Sequence, residues 1–268
     1  MVFNNGKVSS KWHLIKIGCF IGGILFSLGL SLVSTGMLAQ PTSQPPPLPV
    51  AAIHSMPPTL TQWKGVSNLS NSDNYFDQIQ STDIGYLVWS QFPIQVYRQP
   101  VPGKEALPFD RQQAEQWWNA VNQAVEEWSM YLPCRVTEKP EQADILLWRS
   151  PPPMRLGSNG QLPRFRTAET HYEVYLRHLP NQSPTLTHRM TIRIRPNQSP
   201  VYLLATARHE LGHALGIWGH SLLETDALFF SQVRHPPAIS QRDVNTLIRI
   251  YQQPTRLGWS VPLSSAPQ

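Results

Sequence analysis

The sequence predicts an α+β fold, a single layer of strands with helices packed on it. Three observations carry this. Short apolar or alternating runs read as strands at residues 86–89, 94–97, 145–148, 172–176 and 191–195. Between and after them come stretches with apolar residues at helical spacing. A hydrophobic content of 41% in 268 residues suffices to bury one medium-sized core.

The elements follow in chain order. Lys7, Lys11 and Lys16 precede an uncharged run over 17–39. Basic residues stay on the cytoplasmic side of such a run, so the rest of the chain is expected to be exported, to an extracellular or periplasmic location. Residues 1–39 then form a signal peptide or a membrane anchor, and the run is long enough for either. Residues 40–62 are expected as a Pro-rich linker, because Pro41, Pro45, Pro46, Pro47, Pro49, Pro57 and Pro58 impose extended chain. Residues 63–255 are the expected domain and 256–268 a tail. Residues 59–83 are polar and read as an arm packed on the domain or a brief pro-segment.

Asp110 is placed to cap a helix from Arg111 to about Tyr131, in which Trp117, Trp118, Val121, Ala124, Val125 and Trp128 form an apolar stripe. Cys134 follows at a strand start and reads as a small buried hydrophobe. Cys19 falls in the targeting segment, so the mature chain holds no cysteine pair. Residues 151–166, rich in Pro, Gly and Arg, are expected as a surface loop. Ser199 and Pro200 suit the cap and first position of a second helix. Ser240 caps a last one, whose Val244, Leu247, Ile248 and Tyr251 face inward.

The second helix carries the most specific signal. His209 and His213 are four apart, so they project from one face at a spacing that can hold one metal ion. Glu210 can reach a water on that metal and take its proton. Gly216 can end the helix in a left-handed turn, returning the chain so that His220 arrives as a third ligand. Three protein ligands and a water make a catalytic zinc site rather than a structural one. Asp226 is the alternative third ligand; otherwise its carboxylate is expected to orient a histidine N–H. Glu224 lies too close to the motif to be a ligand from a later helix. His171, His178 and His188 are expected at the surface, and His54 and His235 in loops.

This run resembles the signature of the metzincin metallopeptidases, and the flanking sequence is most similar to their matrixin-like branch. The resemblance covers roughly residues 84–255. Residues 113–131 resemble the family's first long helix, 143–145 the entry to a central strand, 204–208 the turn leading into the motif, and 239–251 the C-terminal helix with its cap. It implies a metzincin-like domain with a twisted mixed sheet, a long first helix, a zinc-binding motif helix and a C-terminal helix. It implies a zinc-dependent endopeptidase that holds Zn2+ through His209, His213 and His220 and uses Glu210 as general base. An extended peptide would lie beside an edge strand, with Leu228, Phe229 and Phe230 around an apolar pocket for the residue after the cut.

Two departures stand out. His220 lies four residues after Gly216 where the family has three, and Gly219 is expected to supply backbone freedom for the extra residue. No methionine follows Met190, so Leu228 is expected to replace the methionine of the family's turn beneath the metal.

The partner is accordingly a peptide or protein substrate. The net charge of +5 falls to +2 without the three N-terminal lysines, which gives no argument for nucleic acid. A reading from another class is a non-catalytic zinc-binding interaction module, which leaves Glu210 without a purpose. If the apolar run is removed on export, N-terminal sequencing of the exported protein should begin between about Met37 and Gln40. An intact Met1 in a membrane fraction would instead identify an anchor.

Overall fold

Strict alternation along one strand organises the core. Leu186, His188, Met190, Ile192 and Ile194 turn inward and their neighbours outward, as the pleat requires. In the computed structural model, which describes residues 47–63, 73–154 and 166–261, this strand is β5, Thr185–Ile194. It sits between β3 (Ile145–Trp148) and β4 (Ala168–Arg177) in a five-stranded sheet that β1 (Ile94–Arg98) and β2 (Cys134–Thr137) complete, in the order β2-β1-β3-β5-β4. All neighbours are parallel except β4, which runs antiparallel to β5 and forms one edge. Among the described residues four helices accompany the sheet: α1 (Pro58–Thr61), α2 (Pro108–Ser129), α3 (Pro200–Ala214) and α4 (Gln241–Tyr251). The fold is thus mixed α+β. The expected targeting segment, the start of the linker, most of the 151–166 loop and the end of the tail lie outside the described residues.

Parallel strands cannot be joined by a tight turn, and α2 makes the crossover from β1 to β2. It starts at Pro108, whose missing N–H costs nothing at the first helical position. Asp110 is therefore not the cap but a first-turn acid, favoured there by the helix dipole. The predicted stripe is buried at Trp117, Val121, Ala124, Val125 and Trp128. Trp118 is only partly buried and lies under the Arg98 guanidinium, 4.5 Å from its ring centre. The stripe faces α3, where the Trp128 indole donates to Arg208 O at 2.9 Å and Arg208 forms a two-pronged ion pair with Glu127 at 2.5 and 2.8 Å.

Residues 86–89 do not form a strand. Leu87, Val88 and Trp89 are buried, yet they wedge between helix ends. The Trp89 indole donates to Ala214 O at 2.9 Å, and Trp89 N donates to the Tyr251 hydroxyl at 3.3 Å. An apolar run buried on all sides looks strand-like by composition alone. Cys134 does begin β2, half-buried, with its thiol pushed up to about 11 by burial.

The domain is wider than 63–255. Residues from 47 onward, expected as linker, lie along it: Ala52 pairs with Thr255, Leu60 is fully buried, and the Thr59 hydroxyl donates to Tyr131 O at 2.6 Å. Residues 256–261, expected as tail, cover the part of β5 that the shorter β3 leaves. Leu186 exchanges bonds with Trp259 O at 3.0 Å and Gly258 N at 2.7 Å, and Leu257 and Val261 are buried. His54 belongs to this seam, stacked on Trp259 at 4.2 Å.

His188 also departs from expectation. It is 1% exposed and stacked on Trp89 at 3.8 Å, because its place in the β5 alternation points it inward. Burial, helped by the nearby Arg177 charge, lowers its pKa to about 3. An unfolded chain protonates this ring near pH 6.5, whereas the folded chain refuses the proton down to about 3. The contribution to stability is therefore intact above pH 6.5 and lost on acidification toward 3, at about 1.4 kcal/mol per pH unit. Denaturant unfolding between pH 6.5 and 4.5 should show a shallower loss of stability in His188→Phe than in the parent. Equal slopes would contradict this assignment.

Candidate metal centre

The site is built on α3. Ser199 occupies the N-cap position, although its side chain makes no capping bond, and Pro200 follows at the first turn. The helix ends at Ala214, and Gly216 reverses the chain at φ +127°, a conformation that L side chains rarely adopt. A Cβ at Gly216 would also lie 2.7 Å from Leu87 O, so the wedge of 86–89 abuts this turn. The reversal brings His220 back. Its ring centre lies 5.1 Å from that of His209 and 4.9 Å from that of His213, and one ligand nitrogen from each ring falls within 4.8 Å of the others.

Two backbone carbonyls set the tautomers. His209 Nδ1 lies 3.0 Å from Ala227 O and His213 Nδ1 lies 2.7 Å from Ile217 O. A carbonyl only accepts, so both Nδ1 atoms carry the proton, and in the neutral rings both Nε2 atoms present lone pairs. These lone pairs meet at 3.0 Å. Two acceptors at that distance repel unless a cation lies between them. Nitrogens sharing a tetrahedral zinc would stand about 3.3 Å apart. Burial holds the rings neutral: it lowers His209 to about 4 and His220 to about 3, and pushes His213 well down, with His209 adding repulsion at the other two. Neutral imidazole is the form that binds metal. The donor set therefore fits a divalent ion of zinc's kind.

Glu210 is 2% exposed beside the cluster and is not part of it. Its Oε2 accepts from the Thr170 hydroxyl of β4 at 2.6 Å. Burial raises the carboxyl to about 7, against lowering by Thr170 and Arg166 and with some further raising by Glu169. A carboxyl poised near neutrality can both accept and return a proton.

Asp226 takes neither role expected of it. It is buried and accepts from Ser221 Oγ at 2.5 Å, Ser240 Oγ at 2.7 Å and Arg242 Nε at 3.1 Å. Its carboxylate pins the loop after His220 to the start of α4, while carbonyls orient the histidines. Gly219 is needed for a different reason than backbone freedom. Its φ is not left-handed; a Cβ there would lie 2.2 Å from Gln78 O. The segment 78–80 runs against this loop, with Ile79 paired to Gly219 and Gln80 N donating to Trp218 O at 3.0 Å. Close approach, not torsion, requires the glycine.

Leu228 lies beneath the motif helix, fully buried, where a Cβ on Gly212 would lie 2.6 Å from it. It belongs to the core and not to the pocket. That pocket, about 120 Å³, opens beside His209 and Glu210 and is lined by Tyr202, Ala205, Phe229, Phe230 and Val233 among others. His171 and His178 are exposed and His235 lies in a loop, as expected, and the three site histidines form the sole candidate ligand cluster among the described residues.

Asp243 and Thr170 escaped the sequence reading. Asp243 had a signal in the Ser240-to-Asp243 spacing of a capping box. Thr170 had none, because it meets Glu210 only through tertiary structure. Comparison with known proteins found no family model and no curated protein that matches the chain.

In titrations with zinc as probe, His220→Ala should weaken binding by more than the roughly 10–100-fold that loss of a supporting contact costs. Gly219→Val should also weaken it by displacing the 78–80 segment, and Asp226→Asn should stay within the supporting range. Asp226→Asn outdoing His220→Ala would reverse the ligand assignment.

Proposed function

We propose that this chain is an exported, zinc-dependent endopeptidase of the metzincin type, nearest the matrixin-like branch. One observation carries the reading: three histidines, one buried and two half-buried, converge at the end of a helix, and the buried carboxyl next to the first of them is bonded to the edge strand β4. Further support comes from the edge strand β4 beside α3, the Gly216 reversal and the buried Leu228 beneath the motif helix.

His209, His213 and His220 would hold zinc. When bound, zinc supplies a Lewis acid for the scissile carbonyl and a water of lowered pKa. The remaining work belongs to the chain. Ala227 O and Ile217 O keep two rings in the ligating tautomer. The Glu210 carboxylate takes the proton of the attacking water and passes it to the leaving amine. Substrate lies along β4. Arg195 N donates to Thr167 O, which fixes the phase of the ladder. Residues 168, 170, 172 and 174 therefore turn their backbone N–H and C=O away from β5. A peptide added there as a strand gains main-chain bonds without regard to sequence. The pocket bordered by Phe229 and Phe230 takes an apolar side chain after the cut.

A non-catalytic zinc module would retain the histidines and have no use for a base. With an unfolded protein as substrate, Glu210→Gln should keep its zinc and lose about 10²–10⁴-fold in kcat. A chelator should abolish parental cleavage and added zinc should restore it. Parental turnover in the variant removes this mechanism, and loss of zinc along with activity makes Glu210 a ligand.

A further inference from the structure

The contact between Thr170 and Glu210 joins the strand that would carry substrate to the group that would move the proton. Thr170 lies on β4 opposite Ile192 of β5. Its backbone groups face away from β5, toward the outer side of the edge strand. Its side chain turns to α3, where the hydroxyl stands 2.6 Å from Glu210 Oε2 and 3.1 Å from Glu210 O. The hydroxyl has one proton, and the shorter, charge-assisted contact to the carboxylate takes it. Oε2 is then held by a donor on the sheet, leaving Oε1 as the oxygen to meet the water. A glutamate has three side-chain torsions, and burial alone does not select among them. A donor on the substrate-bearing strand does, and it ties the base on α3 to β4, so that base and substrate keep one spacing.

We infer that Thr170 is a positioning residue for the general base, holding Glu210 through its hydroxyl. The inference rests on the peptidase reading for its consequence in turnover, but the contact has its own readout. The zinc-free protein labelled with [5-13C]glutamate should give a Glu210 carboxyl resonance, assigned by its absence in Glu210→Gln. Thr170→Val, equal in volume and without the hydroxyl, should shift that resonance. With zinc bound to the same extent as in the parent, it should lower kcat on the order of 10-fold while KM stays within about 2-fold. Thr170→Ser, which keeps the hydroxyl, should return both readouts close to the parent.

An unmoved resonance with parental kcat in Thr170→Val overturns the proposal. So does a Thr170→Ser variant as slow as Thr170→Val, since the methyl would then be what matters. If the parent cleaves no peptide while Thr170→Val still moves the resonance, the contact stands and the peptidase reading fails. Should Thr170→Val melt early, Thr170→Ala compared with Thr170→Ser makes the same distinction.

Discussion

The buried carboxylate of Asp243 is the interaction on which the rest of the site depends. It is fully buried and accepts from Ser240 N at 2.8 Å, Ala227 N at 2.9 Å, Leu228 N at 3.3 Å and the Tyr75 hydroxyl at 2.5 Å. One side chain therefore starts α4, shapes the turn under the motif helix and ties down the segment that runs on to the His220 loop. Ala227 lies in that turn, and its carbonyl orients His209. Removing a carboxylate so surrounded leaves several buried donors without acceptors, each costing about 1–3 kcal/mol. The same burial raises the Asp243 pKa, and its donors counter the rise.

The orienting groups are mostly main chain. Ala227 O and Ile217 O do for the rings what carboxylates often do in metal sites. Carbonyls carry no charge to desolvate, and their positions follow from a turn rather than from a residue type. This frees Asp226 to brace the loop, where its partners Ser221, Ser240 and Arg242 come from both ends of a single stretch.

What the sequence made legible was local. The α3 motif, the Gly216 reversal, the α2 stripe and the Ser240 cap each depend on residues within a few positions of one another, so spacing and torsional preference suffice. The misses share the opposite cause. Residues 86–89 are apolar because helix ends enclose them, His188 is inside because β5 extends further back than its apolar run suggested, and Gly219 is small because a distant carbonyl approaches it. The wedge and the close approach leave no periodic trace, and at His188 the alternation that runs from Leu186 to Ile194 is masked by a polar side chain at an inward position. The Pro-rich stretch misled for a related reason: proline dictates an extended path, which is as compatible with lying along a domain as with leaving one.

The pairing of Ala52 with Thr255, reinforced by Arg256 reaching Pro49 O, fastens the beginning of the described chain to a segment near its end. Any tug transmitted through the proline-rich stretch meets this fastening first. It is carried into the C-terminal strand-like segment and from there into β5, the strand with the most inward-facing side chains. The 73–80 segment, which presses on the His220 loop, lies downstream of that anchorage along the chain. A pull from the N-terminal side would load this fastening before it reached the Gln78 carbonyl that packs against Gly219.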